Sequence, residues 1–253
     1  MRLCTSRAAE GAEKIAANPI GESQSALAPP PPLERDSVPR DTVALARFLL
    51  GKIVVRRFGS SFASGRIVET EAYLEGDPAC HAYRGITPRN RSLFLDVGHA
   101  YVYLCYGTSY LLNVSSEAAG TGAGVLLRAL EPLSGIERMR RARGSGALRD
   151  LARGPGRLTA ALDVDRRLDG MDLFRRGSLW IGSDDLTVGP IGQSVRIGLT
   201  KGADARLRFF LAGSAYVSGA RHLNAAPPSH SAARARAPGE AAGHRPNARS
   251  PTE

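Results

Sequence analysis

The sequence predicts an α+β fold, a single domain built on a mainly antiparallel β-sheet flanked by helices. Three observations carry that reading. Strand-patterned segments outnumber helical ones, and most of them are joined by short turns. Helical patterns are confined to three places, near 41–50, 133–143 and 155 onward. Both ends are rich in Ala, Ser and Pro, which leaves a folded part of single-domain size at 39–221.

Residues 1–38 end in the run Pro29 to Pro32, and residues 222–253 carry Pro227, Pro228, Arg234, Arg236 and Arg245. Such stretches offer too little apolar surface to offset their ordering entropy, so both are expected to be disordered tails, the second a basic one. There is no internal repeat. Asp41 is positioned to cap a helix through Leu50, with Leu45, Phe48 and Leu49 as its apolar stripe and Gly51 ending it. Lys52–Phe58 and Gly65–Tyr73 read as strands around the turn Gly59-Ser60-Ser61. A loop from Gly76 to Arg91 follows. Tyr101–Tyr106 and Tyr110–Ser115 flank Gly107-Thr108-Ser109, the pattern of a β-hairpin. Gly124–Leu130 is an apolar run fit for a buried strand. Leu133–Arg143 reads as a helix with one Arg/Glu face, and Pro155 suits the first turn of another. Short strands are expected around Ser178–Ile181, Val195–Leu199 and Leu207–Leu211.

The chain has 253 residues and a formal net charge of +10, which favours an anionic partner such as nucleic acid or an acidic membrane face. GC-rich coding also yields Arg-rich chains, so charge does not decide the matter. Cys4, Cys80 and Cys105 contain no close pair, which excludes a disulfide framework and any Cys-x-x-Cys zinc site and suits a reducing compartment. No apolar run reaches membrane-spanning length. The first twenty residues hold Arg2, Arg7, Glu10, Glu13 and Lys14 but no apolar stretch like that of a secretory signal. A cytoplasmic, nucleoid-associated and bacterial setting is the expectation.

Strand alternation places Ile67, Glu69, Glu71 and Tyr73 on one face and Val68, Thr70 and Ala72 on the other. Two carboxylates one strand-step apart repel, so one of them needs a raised pKa or a cationic partner, unless the face is simply solvated. Arg128 interrupts the apolar run Val125 to Leu130. A buried Arg requires a carboxylate or phosphate, and Glu69 or Glu71 are candidates. The hairpin holds Tyr101, Tyr103, Tyr106 and Tyr110, four of seven tyrosines. A tip tyrosine on a basic protein could wedge between base pairs and a strand tyrosine could stack on an extruded base. Cross-strand aromatic packing is the bland alternative. His81 lies in a polar loop, and with Cys80 alone it makes no metal site. No phosphate loop, nucleophile elbow or His-Glu-x-x-His motif is present.

The stretches GRIVETEAYLEGDPACHAYRGITPRNRSLF, GHAYVYLCYG, GVLLRALEPLSG, LARGPGRLTAALDV and RIGLTKGADARLRFFLAG together resemble the alkyladenine (3-methyladenine) DNA glycosylase family, in the same order and over most of residues 41–218. The resemblance implies a curved sheet and a protruding hairpin that inserts into DNA. It implies a monofunctional enzyme that flips alkylated or deaminated purines (3-methyladenine, 7-methylguanine, hypoxanthine) from duplex DNA and hydrolyses the glycosidic bond, with no cofactor or metal. Glu71 would then be the general base, with Arg128 and the carbonyl of Ile197 helping to hold the attacking water. Tyr73, His81 and Tyr103 would sandwich the flipped base and Tyr106 would fill the gap it leaves. Asn113 would crowd the exocyclic amine of guanine, and Arg157 would lie near the DNA backbone. Three departures stand out: Thr108 where a bulkier Met follows the Gly, Cys80 in place of a small Ser or Ala, and Tyr216 where Trp is common.

An oxocarbenium-like transition state needs only a carboxylate and a water when alkylation has already made the base a good leaving group. Neutral hypoxanthine needs help at the base, with His81 or a backbone donor as candidates. No Lys in these segments is placed as a nucleophile. Two other readings remain at this point, a carboxylate hydrolase of small nucleosides or glycosides and a nucleic-acid-binding module without catalysis. A monomer is expected.

Overall fold

A computed structural model describes residues 28–144 and 146–225. The sequence stretches 1–27 and 226–253, which make up most of the two expected tails, lie outside the described residues. Asp41 accepts the Ala44 N–H at 2.7 Å and starts α1 (Thr42–Phe48). Gly51, at φ 86°, turns the chain into β1 (Ile53–Phe58).

The sheet is organised around β2 (Ser61–Tyr73). This strand begins at Ser61, four residues before the expected start. The tight turn after Phe58 closes the hairpin at once, pairing Phe58 with Ser61, so the polar residues that follow gain backbone partners whatever their side chains. β3 (Ala100–Cys105), β4 (Ser109–Ser115), β5 (Gly124–Ser134) and β6 (Leu179–Gly182) complete the order β3-β4-β5-β2-β1-β6. β8 (Arg208–Leu211) pairs with Glu69–Glu71 of β2 and with β7 (Ile191–Ser194). Every strand pairing is antiparallel. β2 thus holds β5 along one edge, and β1 then β8 along the other, and the sheet curls into a half-barrel.

Register shifts between β2 and β5 fall at Ser64/Gly65, Ile67/Glu69 and Glu69/Thr70. Val68 is skipped in the pairing, and this bulge resets the alternation. Ile67 therefore joins Ala72 in the main core, on the side where Thr70 Oγ1 bonds the Ala46 carbonyl at 2.8 Å, and not the face of Glu71 and Tyr73 predicted for it. β5 runs on to Ser134, because Pro132 and Ser134 still pair with Gly65 and Ser64. Gly135, at φ 70°, then ends it, and the helix α2 (Ile136–Arg143) starts three residues later than expected. α3 (Pro155–Ala161) opens on its proline as predicted. Val195–Leu199, expected as a strand, is irregular, and the strand lies just before it in β7.

α1 and α3 bury Leu45, Leu49, Leu158 and Leu162 against Val102, Leu112, Leu127 and Leu130 in the main core. The segment Pro30–Val38, assigned by composition to the N-terminal tail, packs on the domain instead. Leu33 N–H bonds the Ile181 carbonyl, Trp180 Nε1 bonds the Pro30 carbonyl (each 2.9 Å), and Leu33 and Val38 are buried. Two isolated apolar residues in a polar context give no periodic signal, which is why composition hides them. Among the described residues no helix is long and apolar enough to cross a membrane.

Candidate active site

The face of β3–β5 opposite the main core carries Leu111, Asn113, Leu126 and Arg128, which line a cavity of about 550 Å³. Tyr73 from the end of β2, Cys80 and His81 from the following loop, and Ile197–Leu199 from the irregular segment close its sides. Tyr101, Tyr103, Cys105 and Tyr106 from β3 and the hairpin complete it, with Arg89 and Pro155 among its lining.

Glu71 lies behind this wall, fully buried. Its carboxylate accepts hydrogen bonds from the Tyr73 hydroxyl at 2.9 Å and the Ile197 N–H at 2.8 Å, and pairs with the Arg128 guanidinium, whose Nη1 lies 3.1 Å away. All three partners line the cavity. A carboxylate offers about four lone-pair positions, so two hydrogen bonds and an ion pair do not exhaust its acceptor capacity. Glu69, also fully buried, takes two of its three donors from outside the cavity lining: Oε1 takes Arg128 Nε at 2.9 Å and Arg208 Nε at 2.7 Å, and Oε2 takes the Ser218 N–H at 2.7 Å. Burial pushes its pKa up, but Arg128 and Arg208 outweigh that and hold it below the usual carboxylate range. Burial works against the charge of Arg128, yet Glu71 and Glu69 raise its pKa. The repulsion expected between the two carboxylates is thus met by two guanidiniums.

Burial and the neighbouring Glu71 raise the pKa of Tyr73, which keeps its phenol a donor. Arg196 lies under that ring, 4.7 Å from its centroid, ion-paired with Asp77 and donating to the Ala72 carbonyl at 2.9 Å. On the hairpin side, the Tyr101 and Tyr103 rings stack at 5.2 Å, and His81 meets Tyr103 at 4.4 Å between centroids. His81 Nδ1 is 2.9 Å from the Tyr101 hydroxyl. Burial, aided by Arg89, lowers the His81 pKa, so the ring is neutral at pH 7. Asn90 holds the loop by donating to the His81 and Gly85 carbonyls. Asn113 is buried and its side-chain amide donates to the Tyr101 carbonyl at 3.1 Å.

At the hairpin tip, Tyr106 and Gly107 both have left-handed φ, 48° and 71°, and Thr108 N–H bonds the Cys105 carbonyl at 3.0 Å. Left-handed backbone is costly for a tyrosine, by about 1–2 kcal/mol. The Tyr106 side chain gains nothing locally in return, being 92% exposed.

The structure therefore gathers Glu71, Tyr73, His81, Tyr103, Tyr106, Asn113, Arg128 and Ile197 around one cavity. Ile197 meets Glu71 through its N–H. Arg157 stands apart from the cavity lining, exposed on α3 and 3.4 Å from Asp150. Sequence reasoning missed Arg196, Arg208, Arg89, Asn90 and the cavity position of Tyr101. Arg208 carried the signal that singled out Arg128, a charge beside an apolar run, here Phe209-Phe210-Leu211.

The chain is similar to known proteins over most of its length. The family model described as methylpurine-DNA glycosylase (MPG) matches residues 36–215. A relative from Mesorhizobium japonicum named for 3-methyladenine DNA glycosylase is 64% identical over 193 residues, covering 76% of this chain and 93% of that protein. One of the same name from Paraburkholderia phytofirmans is 52% identical over 204 residues, covering 81% and 96%. Another, from Methanoculleus marisnigri, is 49% identical over 183 residues, covering 71% and 94%. The chain belongs to the methylpurine-DNA glycosylase family.

Proposed function

We propose that the cavity receives an alkylated or deaminated purine turned out of duplex DNA, and that Glu71 activates the water that releases it. The observation that carries this reading is the arrangement of Glu71, a buried carboxylate whose three partners, Tyr73, Ile197 and Arg128, all line the cavity. Glu69 is less suited to the role because two of its three donors, Arg208 and Ser218, lie outside the cavity lining. The carboxylate also stabilises the positive charge that develops on the sugar. Arg128 and the backbone of Ile197 flank the water. The product is an intact abasic site, since the site contains no lysine among its lining residues.

His81 and Tyr103 touch each other, so they form one wall of the base slot and Tyr73 the other. In the tautomer in which Tyr101 donates to Nδ1, His81 carries its proton on Nε2 and can donate it to the 6-keto oxygen of hypoxanthine. Asn113 sits where it can crowd the exocyclic amine of guanine. Tyr106 occupies the gap left in the duplex, which gives a purpose to an exposed side chain on strained backbone. Arg157 and the net charge of +10 supply contacts to phosphates, so binding weakens as salt rises.

The test is single-turnover base release from duplexes carrying one hypoxanthine or one 7-methylguanine, with Glu71→Gln alongside. Loss of roughly 10²–10⁴-fold in the variant, with damaged-DNA binding kept, is the expected outcome. Release by Glu71→Gln at the native rate would overturn the assignment, and a borohydride-trapped adduct would overturn the monofunctional reading.

A further inference from the structure

Arg208 is fully buried and each of its five N–H groups meets an acceptor. Nε donates to Glu69 at 2.7 Å. Nη1 lies 2.7 Å from Ser194 Oγ and 3.1 Å from the Leu223 carbonyl. Nη2 lies 3.0 Å from the Ser218 carbonyl and 2.6 Å from Asn224 Oδ1. On the far side of Glu69, Arg128 is held by the same oxygen and reaches Glu71. A chain of four charges thus runs Arg208–Glu69–Arg128–Glu71, and its charges sum to zero.

We propose that Arg208 is a positioning residue for base release, fixing the Arg128 guanidinium against Glu71 through Glu69, with Ser218–Asn224 as its outer clamp. The inference rests on the reading of Glu71 as the base. Without Arg208, Arg128 becomes the sole cation in contact with two buried carboxylates. It either turns toward Glu69 and leaves Glu71, or one carboxylate takes up a proton. Either outcome disables the base while leaving the cavity walls intact. A buried ion pair kept for stability alone gains little over apolar packing, whereas this one touches the reactive carboxylate through a single intermediary. The charged and titratable groups around Glu71 are Glu69 and Tyr73 on β2, Tyr103 on β3, Arg128 on β5, Arg208 on β8, and Arg196 beneath Tyr73.

The experiment compares the full chain with Arg208→Met, Arg208→Met/Glu69→Gln and Glu71→Gln. It records single-turnover release of 7-methylguanine from pH 5 to 9, DNA affinity and Tm. Arg208→Met should lose about tenfold or more in rate at pH 7 with affinity nearly unchanged. The acidic limb of its profile should move up by about one pH unit. The double variant, which restores charge balance, should recover most of the rate and return the limb. A native rate and limb in Arg208→Met, or a rate loss matching the unfolded fraction with the limb unmoved, overturns the proposal. If Arg208→Met does not fold, Asn224→Ala decides: about a threefold rate loss at unchanged Tm supports the clamp, and a native rate overturns it. Activity in Glu71→Gln would bring down the underlying reading as well, whereas an inactive Glu71→Gln beside a native Arg208→Met would sink this inference alone.

Discussion

Arg128 Nη1 lies 3.1 Å from Glu71, and the Nε of the same guanidinium lies 2.9 Å from Glu69. One buried cation thus spans both carboxylates of β2. Removing it would leave two anions facing each other with Arg208 as the remaining counter-charge on Glu69.

Arg128→Met should therefore destabilise the fold by about 3–5 kcal/mol, the range for breaking a buried pair from one side. Urea unfolding measures it. A change within about 0.5 kcal/mol, the usual size of a surface substitution, would show that the carboxylates do not depend on this bridge.

Tyr106→Gly should separate stability from function. Glycine adopts a left-handed φ freely, so the variant should be as stable as the native protein or more so, by up to about 1 kcal/mol. Release from duplex DNA should nonetheless fall, while release from single strands, where no gap opens, should change less. Equal losses on both substrates would count against a wedge.

His81→Ala should slow hypoxanthine release more than 7-methylguanine release, by about tenfold or more in the ratio, because the cationic base needs less help to leave. Burial and Arg89 set the His81 pKa below the ordinary 6.5, so neutral imidazole prevails above pH 6.5. The Nε2–H donor persists when the ring is protonated, so the His81 contribution to hypoxanthine release should not be lost as the pH falls through the folded value. Equal losses on both lesions would refute this division of labour.

Acid stability should follow Glu69. Its folded pKa lies below the unfolded value of 4.5, so its contribution is fully present above pH 4.5 and is lost as the pH falls through the folded value. Denaturant midpoints between pH 7 and 3 should decline below pH 4.5. Glu69→Gln should be less stable at pH 7, with Arg208 left without a carboxylate and Arg128 with Glu71 alone, but should show a shallower acid slope. An unchanged slope would assign the acid sensitivity to other carboxylates.

Local chemistry made much of the fold legible. Asp41 as a cap, the hairpin around Gly107, the first-turn proline of α3 and the buried run of β5 each depend on neighbours a few residues away. The bulge at Val68 was not legible, because it is fixed by pairing with β5 and β8 rather than by any side chain of β2. The same holds for the irregular segment 195–199, where the Ile197 N–H serves a carboxylate and not a strand.

By itself, then, the sequence pointed to the α+β class, to Glu69, Glu71, Arg128, His81 and the hairpin tyrosines as candidates, and to the need of any buried arginine for an anion, while the family resemblance added Asn113 and Ile197. Only the tertiary structure showed how each carboxylate is held. Glu69 and Glu71 are both acids on one strand, and nothing within that strand tells them apart. Arg208 and Ser218 arrive from residues far along the chain to close off Glu69, while Tyr73 and Ile197 hold Glu71 behind the cavity wall. Such assignments depend on long-range packing, and the pKa of a buried group is set by the charges and donors that packing brings within a few ångströms.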